Sequence, residues 1–581
     1  MAASGPSSKG CSPMRESTAT VGSAHELGSV LRDQARSDPE ATAFVYLERG
    51  EREAGRYTYA DLDLRARAVA VGLRARGCEG ERVLIALPSG LEFVAAFFGC
   101  LYAGAVPVPS PEIESRRGAE RAIAICEDCD PRLALTTTTA SPGQGAPAWR
   151  EWQRENSLAE ASVGAFPDAT SCNWEIPREQ AQPLAFIQYT SGSTSAPKGV
   201  MVTHEALAAN LGMLVVALRV ERASRIVSWL PIYHDMGLVA GVLLPVFACC
   251  QSVLMPPLSF LQAPLRWPRA IARYRATISG APSFAFEMCA RALERHGLED
   301  TDLSGWEVAS CGSEPVRAAS LEHFASAFAP FGFRRSALYP CYGLAEATLF
   351  ASGGVAGEGL VTAPHPVTGQ EVVSCGLPAI GETVVIVDPE TLEPLGESKI
   401  GEILVSGPNV AAGYWNLPEQ SDATFRASVR GDAGRTYLRT GDLGFMHRGR
   451  VAIAGRLKDL IIIRGENHHP EDIEASASGA HPALAAGAAA AFSVQTDAGE
   501  GLVAVIEIAR EHSVDSAEIG RSVAARISEG HGIALHELAF VRQLTLPRTA
   551  NGKVKRRACR EAYLANTLAW VARLPGTGKI S

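Results

Sequence analysis

The 581-residue chain has no excess of basic charge: 54 Lys and Arg stand against 63 Asp and Glu, a formal net charge of −9. Broad non-specific nucleic-acid binding needs clustered cations to displace phosphate counterions, so that class is excluded and any nucleotide is a small ligand. There is no apolar run fit to span a membrane. Residues 90–103 (GLEFVAAFFGCLYA) fall short of the roughly 20 a spanning helix needs and include Glu92. Residues 226–255 are interrupted by Pro231, His234, Asp235 and Pro245. The first residues lack the basic, apolar and small-residue order of a secretory signal, which points to a reducing, cytoplasmic setting. The 13 cysteines then read as buried thiols. Cys126 and Cys129 form a CxxC with no second pair at zinc-ribbon spacing, and Cys249 and Cys250 sit in an apolar run as small core residues. No internal repeat is present.

What is there is a globular composition, 46% hydrophobic and 20% charged, over a length of about three or four folding units. Residues 1–24 are rich in Ser, Gly, Ala and Thr and read as a flexible tail. Strands over 82–87 and 105–109 flank a helix over 90–103, and repetition of that alternation predicts an α/β fold with substantially parallel sheets. From about 377 the texture turns to short alternating segments split by Pro, Gly and Asp, a β-rich subdomain. Pro470 followed by Glu471 and Asp472 marks a helix start. The expected organisation is a large N-terminal region, 25–455, with mixed sheets and that β-rich part, then a small α/β domain, 456–581.

One segment carries explicit chemistry. Thr190, Ser191, Gly192, Ser193 and Thr194, with Lys198, follow an apolar run at 184–187. Glycine and small hydroxyl residues let N–H and O–H groups converge on phosphate oxygens, and a lysine supplies a point charge. The spacing is not that of GxxxxGK[ST].

This loop, YTSGSTSAPKGVMVTH, resembles the phosphate loop of the adenylate-forming acyl and aryl ligases. Further matches follow in that superfamily's order: SWLPIYHDMGL from Ser228, YGLAEAT from Tyr342, RTGD from Arg439, GRLKD from Gly455 and PRTANGK from Pro547. LPIYHDMGL, LAEAT and RGENHHPEDIE are most similar to the fatty acyl-AMP ligases. The resemblance covers roughly 25–565. It implies ATP and Mg²⁺ as cofactors, a medium- or long-chain fatty acid as substrate, and a holo acyl carrier protein or a polyketide or nonribosomal synthase module as partner.

The resemblance also implies roles, and the residue types suit them. Glu346 binds the metal, plausible for one carboxylate because Mg²⁺ keeps waters and borrows phosphate oxygens. Asp442, after a Thr-Gly turn, accepts from the ribose hydroxyls, with Arg456 beside it. Tyr342 and Gly343 face adenine, as do Gly312, Ser313 and Glu314. Lys553, after Asn-Gly, is the catalytic cation bridging carboxylate and α-phosphate. His234 lines the carboxylate end of an acyl pocket to which Trp229, Met236, Gly237, Leu238 and Ser283 contribute. Lys458 is the hinge about which the C-terminal domain turns between half-reactions. The insertion that fatty acyl-AMP ligases carry after the glutamate motif reads as abbreviated between Glu346 and Ser374. An acyl-CoA ligase therefore stays as the nearer alternative, and a non-catalytic adenylate-binding subunit as the one from another class.

Overall fold

The structure is a computed structural model that describes residues 27–137, 146–166, 183–190, 197–367, 369–459, 461–463, 466–468, 470–496, 499–509, 515–548 and 554–575. Short apolar runs become strands buried on both faces, as parallel sheets covered by helices require. Thr42–Glu48, Gln251–Leu254, Arg225–Ser228, Ile278–Ala281, Val308–Cys311 and Leu338–Tyr342 run parallel through the centre of a nine-stranded sheet. Arg52–Thr58 closes one edge antiparallel, and Ser352–Gly353 with Leu377–Pro378 closes the other. A second, all-parallel sheet holds Val106–Pro109, Arg82–Ile85, Leu133–Leu135 and Ala159–Ala161. The fold is mixed α/β.

The strands expected over 82–87 and 105–109 are Arg82–Ile85 and Val106–Pro109, and the helix between them is Leu91–Ala103. Every side chain of that helix from Phe93 to Ala103 is buried, and Gly104 ends it at φ 72°. A Cβ on Gly99 would meet Val69 at 2.4 Å, so this glycine lets the helix seat against Tyr59–Arg74. Burial against protein accounts for the apolar run, and no helix among the described residues is long and apolar enough to cross a membrane. Cys126 and Cys129 are buried and free, and the described residues contain no group of metal-ligating side chains.

The β-rich stretch is a four-stranded antiparallel sheet of Thr383–Val387, Gly401–Ser406, Leu438–His447 and Arg450–Arg456. The connection read as abbreviated is a folded element. Thr362–Pro364 and Glu371–Val373 pair as a hairpin, and Ala363 packs on Phe445 and Ala452 of the four-stranded sheet. Arg450 ties this element down through Glu358 at 2.8 Å. Beyond it, Pro470 opens the helix Pro470–Ser478. A four-stranded sheet of Leu484–Thr496, Gly499–Ile508, Leu535–Arg542 and Trp570–Pro575 completes the described chain, with the helices Ser516–His531 and Arg556–Leu564.

Candidate active site

A cleft of about 2130 Å³ opens where the parallel strands end. Ser310, Gly312, Cys341 and Tyr342 reach it from carboxyl ends of the nine-stranded sheet, the usual ligand position in open α/β sheets. Asp442 and Arg456 reach it from the antiparallel sheet, and Asp459, Glu474, Arg548, Lys555 and Arg556 from the C-terminal part.

Asp442 is held by its own strand. Gly441, at φ 68°, turns the backbone, and its amide donates to the buried Glu402 carboxylate at 3.2 Å, which also pairs with Arg439. Thr440 Oγ1 donates to the Ile403 carbonyl at 2.7 Å and accepts from the Asp442 amide at 3.1 Å. The Asp442 carboxylate, 6% exposed, then accepts from the Tyr342 hydroxyl at Oδ2 and from Arg456 Nε at Oδ1, each at 2.8 Å. Asp442 and Arg456 are cross-strand partners, so the ladder itself sets this pair. The Asp442 charge raises the Arg456 pKa, and burial followed by Asp442 raises that of the Tyr342 phenol. Sequence reasoning placed these three residues on one nucleoside, and the structure brings them together.

Glu346 sits on the single turn Ala345–Ala347 and accepts from the Tyr414 hydroxyl at 2.8 Å. Burial pushes its carboxyl up, the Tyr414 bond opposes this, and Asp235 adds to the rise. Lys198 Nζ lies 4.8 Å from the centre of the Tyr414 ring, a cation–π distance. Tyr414 thus links Lys198 to the glutamate. Sequence reading missed it, because an aromatic in the connection GYWN carries no spacing signal.

Thr190 and Lys198 are paired across the hairpin of Leu184–Thr190 and Lys198–Thr203, with the loop between them. Ser191, Gly192, Ser193 and Thr194 lie outside the described residues, as does Lys553. Arg121, also missed, donates to the Thr190 carbonyl at 2.7 Å from the helix Arg116–Cys129. Lys458 lies in the turn Leu457–Asp459, its side chain outside the described set.

Gly312, Ser313 and Glu314 line the cleft. A Cβ at Gly312 would meet the Cys341 carbonyl and Sγ at 2.9 Å, and one at Gly343 would meet the Leu349 carbonyl at 1.7 Å, so neither position admits a side chain without movement. Glu314 accepts from the Phe284 amide at 2.9 Å, fixing the start of the helix Ser283–His296.

The expected acyl pocket needs correction. His234 and Met236 line the cleft, with His234 Nδ1 2.5 Å from Asp235 Oδ1. Trp229 instead stacks on Phe260 at 3.9 Å within a buried aromatic core, 2% exposed. Leu238 is fully buried, and Gly237 packs where a Cβ would meet the Pro231 carbonyl at 2.2 Å. Ser283, 1% exposed, bonds Cys311 Sγ at 3.3 Å and the Arg317 amide at 3.2 Å. None of these four lines the cleft. Apolar groups that do line the cleft include Met236 and Ala240 on the π-helix Met236–Leu243, together with Leu214, Phe284 and Met288.

The residues fit a magnesium ion held through phosphate. Glu346 and Asp235 both line the cleft, and no group of three or more ligating side chains is present among the described residues. One or two carboxylates plus substrate phosphates is the usual magnesium arrangement, whereas a protein-only cage needs more ligands.

Comparison with known proteins decides the family. A family model described as AMP-binding enzyme matches residues 31–415. The chain belongs to the AMP-binding enzyme family. A second model, Disco-interacting protein 2-like AMP domain, matches residues 458–573. The medium-chain-fatty-acid–[acyl-carrier-protein] ligase JamA of Moorena producens is 38% identical, covering 95% of this chain and 98% of its own. The long-chain-fatty-acid–AMP ligase FadD32 of Mycolicibacterium smegmatis is 37% identical over 88% of this chain and 89% of its own. Among solved structures, a fatty acid AMP ligase from Legionella pneumophila superposes with a TM-score of 0.71 at 36% identity, covering 95% of this chain and 98% of that one. Within the AMP-binding enzymes, the chain's place is with the fatty acyl-AMP ligases.

Proposed function

We propose that the protein activates a medium- or long-chain fatty acid with ATP and passes the acyl group to the phosphopantetheine thiol of an acyl carrier protein serving polyketide or lipopeptide assembly. In the first half-reaction a carboxylate oxygen attacks the α-phosphorus and pyrophosphate leaves. In the second, the thiol sulfur attacks the acyl carbon, its proton is lost and AMP leaves. The observation that carries this reading is the joining of Asp442, Tyr342 and Arg456 in the cleft that also holds Glu346. An ionised carboxylate offers about four lone-pair sites, so Asp442 can accept from two vicinal hydroxyls while Tyr342 and Arg456 keep it in place.

Lys198 and the loop 191–194 grip phosphate, and Lys553 stabilises the charge that builds between carboxylate and α-phosphate. Glu346 would hold the magnesium ion, which when bound neutralises phosphate charge. Residues 25–455 and 456–581 form the two working bodies, with Lys458 as the hinge between half-reactions. Free buried cysteines and the use of ATP agree with a cytoplasmic site of action.

Two observations favour a carrier protein as acceptor: the name of JamA, and the folded hairpin that follows the glutamate motif. Another relative, 36% identical, is a putative fatty-acid–CoA ligase, FadD21 of Mycobacterium tuberculosis, which keeps coenzyme A as the competing acceptor. The test is enzyme with ATP, Mg²⁺ and laurate, then coenzyme A or holo carrier protein in turn. Thioester on the carrier alone supports the reading, and thioester on coenzyme A with none on the carrier refutes the acceptor.

A further inference from the structure

The glutamate of the cleft stands on a backbone that cannot hold itself. The turn Ala345–Ala347 is one residue triplet long, and Thr348 follows it at φ 67° and ψ −55°, a conformation costly for a β-branched residue. Such a turn persists only where its surroundings over-determine it, and here two fully buried asparagines do so. Asn210, on the helix His204–Ala217, donates through Nδ2 to the Phe350 carbonyl at 2.8 Å and to the Ala347 carbonyl at 3.4 Å. Its Oδ1 accepts from the Phe350 amide at 3.2 Å. Asn409, from the loop after Gly401–Ser406, donates to the same two carbonyls, at 3.1 Å and 3.3 Å. Its own carbonyl accepts from the Thr348 hydroxyl at 2.7 Å.

Both asparagines are 0% exposed, and neither lines the cleft. They come from separate parts of the chain, one from the helix His204–Ala217 and one from the loop after Gly401–Ser406. We propose that Asn210 and Asn409 are positioning residues that aim the Glu346 carboxylate at a phosphate-bound magnesium ion by clamping the carbonyls of Ala347 and Phe350. The inference rests on the reading of Glu346 as the metal ligand. Buried amides that fix a ligating carboxylate act as its outer support, and loss of such support costs typically ten- to a hundred-fold in metal affinity.

The test is calorimetric binding of ATP with Mg²⁺ and with EDTA, on Asn409→Ala, Asn210→Ala and Glu346→Gln. Wild type is expected to bind ATP more tightly with Mg²⁺ than with EDTA. The asparagine variants are expected to keep the metal-free affinity and lose about ten-fold of the Mg²⁺ gain. Each asparagine reaches both carbonyls, so if one alanine variant does not fold the other carries the test. Wild-type Mg²⁺ gain in folded asparagine variants overturns the proposal when Glu346→Gln has lost that gain. So does an equal loss of affinity with and without Mg²⁺. A full gain in Glu346→Gln instead overturns the metal-ligand reading on which the proposal stands.

Discussion

Arg548 and Glu507 pair at 2.9 Å directly before the segment that carries Lys553. Glu507, 1% exposed on the strand Gly499–Ile508, also accepts from the Leu546 amide at 2.9 Å. Arg548 bridges to Val554 across the segment, and the Lys555 amide donates to the Pro547 carbonyl at 2.7 Å. A second anchor follows: Arg556 pairs with Asp459, Glu471 and Glu474 together. The flank before residues 549–553 is therefore tied to the C-terminal sheet, and the flank after them to the helix Pro470–Ser478 and the turn Leu457–Asp459. Glu507→Ala leaves the arginine and the amide without their acceptor and is expected to cost about 3 kcal/mol of stability, read as a lowered Tm.

Lys553→Ala is expected to lower acyl-adenylate formation by about 10²- to 10³-fold while ATP still binds. Single-turnover adenylate formation beside ATP calorimetry separates the two quantities. Near-normal adenylation in a folded variant contradicts the role.

Asp442→Asn and Tyr342→Phe test the nucleoside contact. The aspartate variant loses its charge beside Arg456 and its best acceptor for ribose, so ATP affinity should fall by about ten-fold or more. The phenylalanine variant loses the hydroxyl that holds Asp442 Oδ2, so ATP affinity should fall, and by less than in the aspartate variant. Equal affinities across both variants and wild type contradict the ribose assignment.

Much of this was legible in the chain. Asp442, Arg456, Tyr342 and Glu346 stand in motifs whose order points to one site, and the runs at 82–87, 90–103 and 105–109 fold as their patterns require. Trp229, Gly237 and Leu238 share the motif of His234 yet pack in the core, because sequence adjacency does not say which way a side chain turns, and Ser283 is buried as well. Tyr414, Arg121, Asn210 and Asn409 act across distant segments, where no local pattern exists to be read. The hairpin after Glu346 was hidden by its short strands, part of whose packing is on a sheet formed later in the chain.

Glu382 gives the fold a pH dependence. Burial pushes its carboxyl from the usual 4.5 up to about 8, against a bond donated by Asn409 at 3.1 Å. Between those values the native state keeps a proton that the unfolded chain releases, so the Glu382 contribution is full below about 4.5 and is lost as pH rises through about 8. Glu382→Gln removes that loss. Its Tm relative to wild type is expected to rise from pH 5 to pH 9, and a constant difference contradicts the burial of a neutral carboxyl.

The most direct measurement is fatty-acid-dependent pyrophosphate release from ATP and Mg²⁺ with no thiol present. Pyrophosphate and a matching acyl-adenylate, formed with aliphatic acids and not with amino acids, are the expected products. A folded sample that releases no pyrophosphate with any aliphatic acid contradicts the account.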